Sequence, residues 1–301
     1  MASFAIEVTR HALRCVSAFS PETAGRLAFR LFSVTPSREP SSGKEKAALA
    51  AAGPVVARAH PVTLSYAGGW VMARHFRAQG DGAAKRVLLV HGWGSRSDYL
   101  AKMIEGLVAG GAEVVALDWP GHGASPGRTL TMPVAVRAID AAWRHFGGFD
   151  VAVGHSFGGA SLACAAGGLV CDVPSRIAKS MVLIGAPSEM TWLFKGFGKL
   201  LRLSHKAQAA LEGMVVHLSG RRIEDFDAAR ILGVLTVPVL VIHAEDDKEV
   251  SADHARRYAA AGANVELHWA NGLGHRRIVS ALPVIERINA FIHAEDRRAA
   301  A

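Results

Sequence analysis

The chain has 301 residues, half of them hydrophobic and a fifth charged. That profile excludes a disordered, collagenous or disulfide-rich protein and leaves room for one large α/β domain or two small ones. The 34 Lys and Arg against 26 Asp and Glu leave a net charge of +8, which raises an anionic partner, although an Arg-rich, Ala-rich composition explains the same excess without one.

Residues 4–32 carry Leu13, Val16, Phe19, Leu27 and Leu31 at helical intervals, with Pro21 as a break. A helical arm in two pieces is expected, followed over 36–53 by a linker through Pro40, Ser41, Ser42 and Gly43 into a short helix. This divides the chain into an arm and linker (1–53) and a main domain (54–301). Two β-prone stretches, 55–66 and 70–77, flank Ala67-Gly68-Gly69, the signature of a hairpin. From there the pattern changes. Short apolar runs without alternation at 86–90, 113–117, 151–153, 181–184 and 237–242 are interleaved with helical stretches such as 99–108, 134–146 and 158–167. Buried strands alternating with helices predict right-handed βαβ units and a mostly parallel, doubly wound sheet with helices on both faces. A last strand at 265–269 and a last helix at 283–293 complete the pattern, and 187–236 is a helical, apolar-rich insertion.

Ligands of such sheets bind beyond the carboxyl ends of the strands, and several of those ends are chemically loaded. Residues 154–158 read Gly-His-Ser-Phe-Gly, a G-x-S-x-G between a strand and a helix. The two glycines suit a turn too tight for a neighbouring Cβ, which would leave the Ser156 hydroxyl projecting alone. A serine needs a base, and the base an acid that fixes its tautomer. The acid candidates are Glu245, Asp246 and Asp247 after the run at 237–242, and the base candidate is His275 after the run at 265–269. The oxyanion formed on attack needs two backbone donors, one of them the N–H of Phe157.

On these motifs the sequence resembles the α/β-hydrolase superfamily, over roughly residues 54–295. The resemblance implies the α/β-hydrolase fold. Residues 243–250 match the family's H-G-x-x-D-x-x-V with Ala244 in place of Gly, which selects Asp247 over Asp246 as the acid. His275 matches the catalytic histidine. His91-Gly92-Trp93-Gly94 resembles H-G-x-G, making the Trp93 N–H the second oxyanion donor, and 118–125 resembles a structural D-x-P-G-H-G-x-S loop. His122, His155 and His243 are read as framework residues. The insertion falls where the family carries a helical cap, so Trp192, Phe194 and Phe197 would wall an acyl or alkyl pocket, unless they only pack the cap onto the main domain.

The expectation is therefore a serine hydrolase, carboxylesterase-like, acting on a small-molecule ester or thioester without a cofactor. The same residues would serve an acyltransferase, a perhydrolase or a C–C bond hydrolase, and a non-catalytic ligand-binding protein is the reading of another class. Cys15, Cys164 and Cys171 lack zinc or CxxC spacing and no H-E-x-x-H occurs, so no metal is expected. Nor is nucleic acid, since no binding module is recognisable. No apolar run approaches the roughly 18 residues that cross a bilayer, and Glu7, Arg10, His11 and Arg14 interrupt any secretion signal, so a cytoplasmic location is expected. Residues 1–60 hold eight Lys and Arg and four Asp and Glu, half of the net excess. The arm, with Arg10, Arg14, Arg26 and Arg30 beside Phe19, Leu27, Phe29, Leu31 and Phe32, fits a helix packed on its own domain or one lying on an anionic membrane.

Overall fold

The computed structural model describes residues 2–78 and 84–299. Eight strands form one sheet in the order β1-β2-β4-β3-β5-β6-β7-β8. The strands are β1 (His60–Tyr66), β2 (Gly69–Phe76), β3 (Arg86–Val90), β4 (Glu113–Leu117), β5 (Val151–His155), β6 (Ser180–Ile184), β7 (Val239–His243) and β8 (Val265–Trp269). The hairpin β1–β2 is antiparallel and joins β4 antiparallel; from β4 to β8 every pairing is parallel. The central strands β5, β6 and β7 are buried at every position, which explains apolar runs without alternation.

The helices are α1 (Ala2–Phe19), α2 (Pro21–Ser33), α3 (Gly43–Val56), α4 (Ala101–Ala109), α5 (Met132–Phe146), α6 (Phe157–Ala166), α7 (Met190–Leu201), α8 (His205–Ser219), α9 (Ala228–Val234), α10 (Ala252–Ala259), α11 (Gly274–Arg277) and α12 (Leu282–Ala299). Two apolar cores lie on opposite faces of the sheet. One unites α3, α4 and α12 and the other α5, α6, α9 and α10 with the helices above them.

One element departs from expectation. Residues 55 and 56 close α3 instead of opening a strand, which begins at His60. Val55 is buried in the core beneath α4, and that packing overrides its β-propensity. The N-terminal helices pack on the rest of the molecule, one of the two placements that their apolar faces allowed. Ser20 caps α2 by accepting the Thr23 N–H, Pro21 sits at its first turn, and α2 packs on α8 along Ala24, Gly25 and Ala28. The segment after it pairs with 128–130 through the Thr35 N–H to Arg128 O (3.0 Å) and the Leu130 N–H to Ser33 O (2.8 Å). Helices α1, α2, α7 and α8 thus form one helical layer above the carboxyl ends of the strands. A bridge between Glu189 and Asp227 closes the excursion that carries α7 and α8, while α9 returns to pack on α6 and α10.

Candidate active site

Ser156 occupies the junction between β5 and α6 with φ 53° and ψ −121°, one of two non-glycine residues at positive φ among the described residues. Its N–H donates to Ile184 O on the neighbouring strand (2.8 Å). A Cβ on Gly154 would stand 2.6 Å from the Gly159 nitrogen, and one on Gly158 would stand 2.7 Å from the carbonyls of Val90 and His91. The spacing of glycines around Ser156 is therefore imposed by backbone packed against backbone.

Asp247 and His275, from the loops after β7 and β8, meet with Nδ1 of His275 2.7 Å from Oδ2 of Asp247. The other carboxylate oxygen accepts the N–H groups of Glu249 (2.8 Å) and Val250 (2.9 Å). Burial pushes the Asp247 carboxyl up, but the hydrogen bonds from His275 and these two amides outweigh it and hold the pKa below the usual carboxylate value. Asp246 does a different job, accepting the Gly272 N–H (2.8 Å) at the base of the histidine loop. Glu245 and Asn271 bond each other twice, side chain to side chain (3.0 Å) and Glu245 N–H to Asn271 Oδ1 (2.8 Å), bracing the same two loops. Ser156 and His275 line one cavity; a hydrogen bond between such a nucleophile and its base tightens as substrate binds.

The loop after β3 passes close over Ser156: a Cβ on Gly92 would meet the Ser156 Cβ at 3.0 Å. Among the described residues neither the Trp93 nor the Phe157 N–H has an acceptor, so both remain free to bind one. Four buried rings hold the framework. His91 donates from Nδ1 to Gly92 O (2.7 Å) and accepts the Trp119 N–H at Nε2 (3.2 Å). His122 donates from Nδ1 to Pro120 O (3.0 Å) and accepts the Gly94 N–H (3.0 Å), tying the 118–125 loop to the Trp93 loop. His155 donates from Nε2 to His275 O (2.9 Å). Burial, reinforced by neighbouring imidazoles, lowers the pKa of His91 and of His155 to about 3, so both rings stay neutral. His243 donates to Val250 O (3.1 Å) beneath the acid loop.

The cavity above Ser156 has a volume of about 440 Å³ and a mainly apolar lining. The three aromatic residues expected from the insertion, Trp192, Phe194 and Phe197, all reach it. What sequence reasoning missed is the opposite wall: Phe29 and Phe32 of α2, with Val34 after it, face the same space. Phe32 is the hub, its ring centroid 4.7 Å from Phe194, 5.1 Å from Phe197 and 6.5 Å from Trp93. The signal was present in the pairing of Phe29 with Phe32 at helical spacing, but spacing alone does not say which surface a helix covers. Gly185 at the end of β6 was also missed. Its φ of +56° strains any residue with a Cβ, and a Cβ there would lie 3.3 Å from His275 Nδ1, a tight contact that glycine spares the His275–Asp247 pair.

A family model described as the alpha/beta hydrolase family matches residues 87–287. The chain belongs to the alpha/beta hydrolase family. Among solved structures this hydrolase is similar in fold to an esterase from Rhodococcus sp. ECU1013, with 19% identity over 78% of this chain and 98% of that one and a TM-score of 0.56. It is also similar to an esterase from Pyrococcus furiosus (17% identity, 87% and 99% covered, TM-score 0.59) and to proline iminopeptidase from Mycobacterium smegmatis (16%, 80% and 100%, TM-score 0.60). No curated protein matches the sequence. Among the described residues of this hydrolase, no cluster of His, Cys, Asp and Glu is arranged to hold a metal ion, and no helix is long and apolar enough to cross a membrane.

Proposed function

We propose that this hydrolase cleaves a carboxylic ester or thioester bearing an apolar acyl or alkyl group, through an acyl-enzyme on Ser156. The observation that carries the reading is the opening of the Ser156 hydroxyl and the Asp247-paired His275 ring into one apolar cavity. With Nδ1 of His275 committed to Asp247, Nε2 is the nitrogen left to take the Ser156 proton as Oγ attacks the carbonyl. The N–H groups of Phe157 and Trp93 then receive the oxyanion, each worth on the order of 2.7–4 kcal/mol in the transition state. His275 passes its proton to the leaving alcohol or thiol, and water repeats the sequence on the acyl-enzyme. The apolar lining favours a hydrocarbon group over a polar one because burying a polar group without a partner costs free energy.

A fluorophosphonate probe and a series of p-nitrophenyl esters of increasing acyl length test the proposal. The native protein should be labelled on Ser156 and turn over the esters, and Ser156→Ala should do neither. Undiminished labelling of the variant would overturn the assignment.

A further inference from the structure

Two surface features left unused by the catalytic reading coincide on the helical layer over the cavity. The first is charge. Residues 1–34 and 187–222, which hold α1, α2, α7 and α8, contain ten Lys and Arg against four Asp and Glu, a net +6 of the molecule's +8. The second is apolar exposure. Along α1, Phe4, Val8, Ala12, Cys15 and Phe19 fall within an arc of about 80°, and all five are exposed, Phe4 by 74% and Phe19 by 93%. The opposite side of the helix already has its partner: Leu13 is buried in the core, Arg10 donates to Leu200 O and Ser17 bonds Ser204. Helix α1 is therefore apolar on two faces, and only one of them is covered.

A second group of exposed apolar side chains rims the cavity. Leu31, Val34, Trp93 and Leu218 are at once exposed and part of the cavity lining, so they mark its mouth. Exposed Leu200 stands next to Lys199, and Lys195 lies one turn earlier on the same face of α7. Apolar side chains flanked by unburied cations match the interface of an anionic bilayer, where acyl tails accept the former and headgroup phosphates the latter. A second copy of the chain would bring +6 against +6, which opposes the same contact.

We propose that α1 and the cavity mouth dock on an anionic phospholipid surface, with α1 lying in the interface and the cavity opening toward the bilayer. That the bilayer supplies substrate rests on the esterase reading; the docking itself does not. Co-sedimentation with phosphatidylglycerol-containing and pure phosphatidylcholine vesicles tests it on the full chain. The protein should pellet with the anionic vesicles, far less with the neutral ones, and less as salt is raised. Ser156→Ala should pellet equally, which separates docking from catalysis. The triple variant Phe4→Ser, Val8→Ser, Phe19→Ser and, separately, Lys195→Glu with Lys199→Glu should each partition at least about tenfold more weakly, while hydrolysis of a soluble short ester stays unchanged. No pelleting with anionic vesicles, or equal pelleting of native and triple-variant protein, would overturn the proposal. So would a dimer in sedimentation velocity that the triple variant dissociates, because the stripe would then belong to a second copy.

Discussion

At Ser156 the backbone takes a conformation that a Cβ disfavours, at a cost of order 1–3 kcal/mol. Ser156→Gly should therefore unfold at higher denaturant than Ser156→Ala, by roughly 1 kcal/mol, with both inactive; chemical denaturation of the pair checks this. The two aspartates separate as cleanly. Asp247 touches the His275 ring and Asp246 only the backbone of Gly272. Asp247→Asn should lower kcat by about 10⁴ with the fold intact, as loss of the orienting carboxylate does in a Ser-His-Asp triad. Asp246→Asn keeps an acceptor for the Gly272 N–H and should stay within about tenfold of native activity; steady-state kinetics on one soluble ester distinguishes them. Motif register pointed to Asp247, but the reason lay in three dimensions: its second oxygen is held by the Glu249 and Val250 amides, which aims the first at the ring.

Among the elements, α2 has the widest consequences. A Cβ on Gly25 would stand 2.5 Å from the Ala210 Cβ and 2.6 Å from the Ala207 carbonyl, so α2 and α8 touch backbone to backbone. Gly25→Leu cannot be accommodated without parting the helices, and overpacking of this kind costs about 1–3 kcal/mol. Because α2 also carries Phe29 and Phe32 into the cavity, the variant should raise KM for longer acyl esters more than for acetate, with kcat for acetate nearly unchanged. An equal effect on all chain lengths would show that α2 does not wall the acyl site. The helical character of α2 was readable from its periodicity and from Pro21, whereas its partner was not: the contact spans about 180 residues of sequence, and an amphipathic face specifies an apolar neighbour without naming it.

For the molecule as a whole, buried histidines set the response to acid. His91 and His155 titrate at about 3 in the folded protein and near 6.5 when unfolded. Burial lowers His122, His243 and His254 as well. Between those values the unfolded chain holds more protons than the folded one, so stability falls as the pH drops from 6.5 toward 3. At pH 5 the loss is about 2 kcal/mol for each of His91 and His155. Urea unfolding at pH 7 and pH 5 should show a lower midpoint at pH 5; an unchanged midpoint would mean that these rings are not held neutral.

The order of strands and helices, the turn at Ser156 and the places of Ser156, the acid candidates 245–247 and His275 just after strands were legible in the sequence. Each depends on local physics: apolar runs that bury on two faces, glycines where backbones touch, and polar residues placed just after strands. The tertiary structure alone decided where the N-terminal helices go. It made α2 a wall of the cavity and left one apolar face of α1 uncovered, because docking depends on shape matching between distant segments. It also located the charge: the segments that form the helical layer, residues 1–34 and 187–222, hold a net +6 of the +8 that the composition shows without a place.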